Sequence, residues 1–137
     1  MSNKELLNQA YHLDLRIESK LQQVESLRSL AAKATTTYAA EPVSGTRDVH
    51  KREDIICKIV DLQAEINTDI DQLIDLKRKL RKMIESVPNV SYRTILELRY
   101  LNFRTWEEIA VAMGYTLRNL RYMRDKAIDS LGEKNND

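Results

Sequence analysis

Thr105-Trp106-Glu107-Glu108-Ile109-Ala110-Val111-Ala112-Met113-Gly114-Tyr115-Thr116-Leu117-Arg118-Asn119-Leu120-Arg121 decides the fold of this chain. A threonine followed three residues later by glutamate is a capping box, in which each side chain satisfies a backbone N–H that a helix start leaves open. It predicts a helix from Trp106 to about Met113. Gly114 follows where a tight turn needs a residue that accepts positive φ, and Thr116 predicts the cap of a second helix. Two helices crossing at such a turn need a small residue where they approach, and Ala110 supplies it. With Ile109, Met113, Tyr115, Leu120 and Met123 as an inner face, residues 106–125 read as a helix-turn-helix.

The second helix carries Leu117, Leu120, Met123, Ala127, Ile128 and Leu131 on one side, which should pack. Thr116, Arg118, Asn119, Arg121, Tyr122, Arg124 and Lys126 are the candidate DNA-binding residues. Arginine donates two hydrogen bonds to guanine, asparagine pairs bidentately with adenine, and tyrosine reaches phosphate or a thymine methyl. Between 118 and 126 four basic residues face Asp125 alone. Trp106 is expected to anchor its helix to the core rather than to stack on a base, while Arg99 and Arg104 fit backbone contact and plain solvation equally well. Just upstream, Ser91 is expected to cap a helix bearing Ile95, Leu96, Leu98 and Leu101, with Asn102 left-handed at its end.

Pro88 divides this segment from what precedes it, giving an expected arm at 1–87 and a DNA-binding domain at 88–137. From about Asp48 to Val87 a heptad places Val49, Ile56, Ile59, Ile66, Ile70, Leu73, Leu80, Ile84 and Val87 at a and d positions, with Arg52, Gln63 and Lys77 at the other three. Before it, Leu6, Ala10, Leu13, Ile17, Leu21, Val24, Leu27, Ala31 and Ala34 form the stripe of another long helix, capped by Ser2 or Asn3 and ending near Thr35. A connection of roughly ten residues around Pro42 and Gly45 folds the two into an antiparallel hairpin. Ile55, Leu62, Ile74, Leu76 and Met83 fall outside the main seam, so a second apolar strip is expected to make the hairpin a homodimerisation arm. The run Lys77-Arg78-Lys79-Leu80-Arg81-Lys82 suits phosphate contact, and equally suits a helix C-terminus with Asp69, Asp71 and Asp75 nearby.

Three glycines and two prolines among 137 residues leave few turns, so the chain reads as all-α: a long coiled-coil-like hairpin, then a small helix-turn-helix domain. Residues 1–87 hold 14 basic and 14 acidic side chains and the whole chain carries +1, so any nucleic-acid affinity must come from local charge. Cys57 has no disulfide partner, and with His12 and His50 as the only imidazoles no zinc spacing forms. No 18-residue apolar run or signal-peptide pattern occurs, which fits a cytoplasmic protein of a bacterial cell with no membrane association. No catalytic constellation, cofactor loop or metal cluster can be assembled, so an enzyme is not expected.

Leu96-Glu97-Leu98-Arg99-Tyr100-Leu101, Thr105-Trp106-Glu107-Glu108-Ile109-Ala110 and Met113-Gly114-Tyr115-Thr116 together resemble the region 4 domain of bacterial sigma factors, over about residues 91–131. The resemblance implies that Arg118, Asn119, Arg121 and Tyr122 enter the major groove of promoter DNA. The first 87 residues show nothing like the sigma parts that melt promoters and bind the polymerase clamp, which argues against a complete sigma factor. As a whole the chain resembles a family of small proteins encoded by phages and prophages of Gram-positive bacteria, among them the ArpU-like regulators linked to late-gene transcription. What this implies is a sequence-specific regulator that binds double-stranded DNA as a homodimer. The alternatives are an adaptor docking on RNA polymerase or another phage or host protein, and a packaging-related DNA-binding protein.

Overall fold

The computed structural model describes residues 2–40 and 45–133, with side chains described for 2–34 and 50–131. The described residues form helices joined by short turns, with no strand among them: α1 (Asn3–Ala40), α2 (Gly45–Glu85), α3 (Val90–Leu96), a π-helical segment (Glu97–Leu101), α4 (Trp106–Met113) and α5 (Leu117–Glu133). The expected all-α plan, a long helix pair followed by a small helical region, is the one observed.

Ser2 caps α1 through a reciprocal box with Glu5: the Glu5 N–H donates to Ser2 Oγ at 3.2 Å and the Ser2 N–H donates to Glu5 Oε2 at 3.3 Å. The helix does not stop at Thr35. Its backbone stays helical to Ala40 and α2 begins at Gly45, so the connection is shorter than expected. Three threonines cost only a few tenths of a kcal/mol each in helix propensity, too little to end a helix of 38 residues.

By packing, the chain divides into two compact units, residues 15–71 and residues 1–14 with 72–137. In the first unit, α1 and α2 pack around Ile17, Val24 and Ile66. Lys20 Nζ meets Asp69 Oδ2 at 2.6 Å, with side chains only 16% and 10% exposed. This pair links the two helices at that level, and removing either partner would leave the other charge poorly solvated.

The inner seam of α2 differs from the expected heptad. Its buried residues are Ile66, Asp69, Leu73, Leu76, Leu80 and Ile84, with Val87 buried just past its end, so the expected d positions from Ile66 on are joined by Asp69 and Leu76, each just before an a position, and by the a residue Ile84 itself. Leu76, expected outside the seam, is buried; Ile56 and Ile70, expected inside it, are exposed. Val49 lies outside the described side chains.

The second unit joins both ends of the chain. Leu7, Ala10 and Leu13 of α1 are buried in it, with Leu73, Leu76, Leu80 and Ile84 of α2, Val87 just after it, and Ile95, Leu96, Tyr100, Ile109, Ala110, Leu120, Ala127 and Leu131 beyond Pro88. Packing in this unit runs across Pro88: Arg93 Nε donates to the Val87 carbonyl at 3.1 Å, and the ring of Tyr11 meets Phe103 edge to face at 6.2 Å.

Two local details beyond Pro88 also differ from expectation. Asn89, not Ser91, caps α3, accepting the Tyr92 N–H on Oδ1 at 3.1 Å. Phe103, not Asn102, takes the positive φ (54°), while Asn102 stays right-handed at φ −103°. The π-helical turn is the cause: the Asn102 N–H bonds five residues back to the Glu97 carbonyl, so the chain reversal falls one residue later. A bulky residue at positive φ needs outside support, and Phe103 has Tyr11 at its ring and the Lys77 ammonium 4.6 Å from its centroid.

Candidate nucleic-acid interface

The motif helices start and stop where local chemistry requires. The Glu108 N–H donates to Thr105 Oγ1 at 3.1 Å, capping α4, while the threonine hydroxyl donates to the Glu108 carboxylate at 3.1 Å, so the second half of the expected box runs from side chain to side chain rather than to a backbone N–H. At its tail the Tyr115 N–H bonds the Ala110 carbonyl at 2.9 Å and the Gly114 N–H bonds that of Val111 at 3.3 Å. With Gly114 left-handed at φ 74°, this is a Schellman ending. Thr116 caps α5 by accepting the Asn119 N–H on its hydroxyl at 3.2 Å. A Cβ at Gly114 would touch nothing within 4 Å, so Gly114→Ala carries only the left-handed backbone penalty. We expect it to lose about 1 kcal/mol in urea unfolding, and Gly114→Asn less; an unchanged midpoint for both would show that the turn is not held at positive φ.

Ile95, Ile109, Ala110 and Leu120 form the core beneath the motif, with Leu98, Trp106, Met113 and Met123 packed against it. The small Ala110 sits where the sequence required one, and Tyr115 is half-buried. Leu117 departs from its expected packing role: it is exposed at the first residue of α5, at the mouth of a small cleft shared with Trp106, Leu120, Arg121 and Arg124.

The seven candidate residues separate into two groups. Thr116, Arg118, Asn119, Arg121, Tyr122 and Lys126 are exposed. Arg124 is half-buried, its guanidinium 5.4 Å from the Trp106 ring and its Nε 3.2 Å from Asp125 Oδ1. Lys126 lies 5.6 Å from the Tyr122 ring and remains at the surface. Arg118, Asn119, Arg121 and Tyr122 thus stand out on the first two turns of α5, on a backbone fixed by the Gly114 turn and the Thr116 cap.

Arg99 is held rather than free. It lies 3.9 Å from the Tyr11 ring and 4.7 Å from the Trp106 ring, and Nη1 donates to the Arg104 carbonyl at 3.0 Å. Trp106 is half-buried against the motif core, in the anchoring position its place in the sequence suggested. Tyr100 beside it is buried, which pushes its phenol above the usual value against the opposing pull of Arg99 and Arg124. Sequence reasoning missed Tyr11 and Phe103 as partners of this cluster; two aromatics some 90 residues apart carry no local signal of contact.

In the basic run of α2, Arg78 pairs with Asp75 at 3.7 Å, Arg81 with Glu85 at 3.1 Å, and Lys77 with the Phe103 ring. Asp69, expected to face this run, pairs with Lys20 instead. Among the described residues no three His, Cys, Asp or Glu side chains could hold a metal ion, and no helix is long and apolar enough to cross a membrane.

A family model described as a protein of unknown function, DUF1492, matches residues 33–132. The chain belongs to this family. The DUF1492 match takes in all of α2 and the whole helix-turn-helix segment, so the arm and the motif fall within one family unit. No curated protein and no solved structure matches the chain significantly.

Proposed function

We propose that this DUF1492 protein is a sequence-specific DNA-binding transcription regulator that reads promoter or operator DNA by placing α5 in the major groove. The observation that carries the proposal is the exposure of Arg118, Asn119, Arg121 and Tyr122 together at the start of a helix whose entry is fixed by a left-handed glycine and a threonine cap. The N-terminal turns of the second motif helix are where a helix-turn-helix reaches base edges. Arginine and asparagine are the side chains that pair bidentately with guanine and adenine. The resemblance to sigma region 4 and to ArpU-like regulators supports the same reading, and with it a phage or prophage gene, a bacterial cytoplasm and a homodimer on a repeated site.

Selection of a genomic fragment library by the purified chain tests the proposal. One motif should be enriched, and its affinity should fall with salt at a double-logarithmic slope of about 0.9 per phosphate contacted. No enrichment at near-physiological salt would sink it.

One observation favours the alternative of docking on RNA polymerase or another protein. Val111 is 84% exposed on α4, in a shallow depression with Arg104, Glu107, Glu108 and Ala112. Two carboxylates there disfavour phosphate, so this side of α4 suits protein rather than DNA. Binding of core polymerase by a chain that enriches no DNA would select this reading.

A further inference from the structure

Within the unit of residues 15–71, α1 and α2 leave a groove on each side. One is lined by Ser19, Gln22, Gln23, Ser26, Lys58 and Asp61 with only Leu27 and Leu62 apolar. The other, of about 590 Å³, is lined by Leu21, Val24, Ile66 and Ile70, with Gln63 and Asn67 on its α2 side and Glu25 and Arg28 on its α1 side. Along α2 the apolar groove continues a stripe at heptad spacing, Ile56, Val60, Gln63, Asn67 and Ile70, every member of which is exposed. Ile56, Val60, Ile70 and Leu21 retain 46%, 58%, 37% and 52% exposure.

We propose that this apolar groove is the surface on which a second copy of the chain docks, face to face about a two-fold axis, completing a four-helix bundle. The inference deepens the dimer part of the proposed function and names its surface. Three observations select a second copy as the occupant. The polar members of the stripe, Gln63 and Asn67, are amides, each both donor and acceptor, so an amide of one copy can pair with an amide of the other, which two like charges could not. The groove's rim holds one acid and one base a turn apart, Glu25 and Arg28, which a two-fold axis can set against Arg28 and Glu25 of the other copy. The unit's own core is thin where its side chains are described: among those of residues 15–34 and 50–71, the buried apolar residues are Ile17, Val24 and Ile66. Two helices alone hide little apolar surface, and a second pair supplies the missing layer.

The test is sedimentation equilibrium of the full chain, Leu21→Glu/Ile70→Glu, and Gln22→Glu/Ser26→Glu on the opposite groove. The wild type should sediment at twice the 16.0 kDa chain mass. The first variant should be monomeric or have its dimer dissociation constant raised at least about 100-fold, and the second should stay dimeric. Leu21 and Ile70 are exposed in the single chain, so circular dichroism should show the first variant still helical. If it has unfolded, a spin label on the single Cys57 of the otherwise unaltered chain decides instead: a defined label-to-label distance supports the dimer and none overturns it. A monomeric wild type, a first variant that dimerises normally, or loss of the dimer only in the second variant would each overturn the proposal. Fragment selection run on the same proteins keeps the two readings apart. A monomer that enriches a DNA motif defeats the docking surface alone, and a dimer that enriches nothing defeats DNA binding alone.

Discussion

A fragment of residues 88–137, the part that the sequence marks off as a DNA-binding domain, is expected not to fold on its own. In the full chain its buried residues Ile95, Leu96, Tyr100, Ile109, Ala110, Leu120, Ala127 and Leu131 share a unit with Leu7, Ala10 and Leu13 of α1, with α2 from Leu73 on, and with Val87. The fragment loses that whole layer. It also loses the Tyr11 ring that holds Arg99 and Phe103, the Lys77 ammonium over Phe103, and the Val87 carbonyl that accepts from Arg93. Phe103 then has nothing to keep it at positive φ, a conformation costing about 1–3 kcal/mol when unsupported. At 50 residues the fragment lies in the size range where a domain is marginal even with its core intact. Circular dichroism should show reduced helicity and no cooperative melt. A sharp thermal transition near that of the full chain would show that residues 1–87 are dispensable for the motif's fold.

The motif was legible because its signals are local: Thr105, Gly114, Thr116 and Ala110 each act within a few residues, and each does in the fold what its spacing required. The helices of the arm were legible as helices for the same reason, since period alone reveals them. Period does not say which of two overlapping stripes turns inward. Ile56 and Ile70 read as core, yet the stripe containing Leu76 and the charged Asp69 is the one buried, because Lys20 on the other helix neutralises Asp69. A residue 49 positions away leaves no trace in a heptad pattern. The same holds for the π-helical turn, which is invisible in Glu97–Leu101 itself and moves the chain reversal from Asn102 to Phe103. It holds for the packing across Pro88 too: regular structure ends there locally, while buried residues on both sides of it belong to one unit.

Arg118→Ala and Arg121→Ala should each weaken binding to the selected DNA motif by about 1–3 kcal/mol, roughly 5- to 150-fold, while changing binding to unrelated DNA far less. Both side chains are exposed, and among the described residues neither side chain has a hydrogen bond or ion pair, so the loss should appear in binding with the melting temperature unchanged. Arg124→Ala is the contrasting case on the same helix. Its guanidinium is set over Trp106 and against Asp125, so its removal should lower the melting temperature. Lys126→Ala, with a flexible exposed ammonium, should weaken every sequence alike and reduce the salt slope by about one. Together the four variants separate base reading, backbone attraction and packing on one helix. Arg118 and Arg121 substitutions that weaken all sequences equally would mean that these arginines touch phosphate only. Specificity would then have to come from Asn119, whose amide is the other group on these two turns able to read a base edge bidentately.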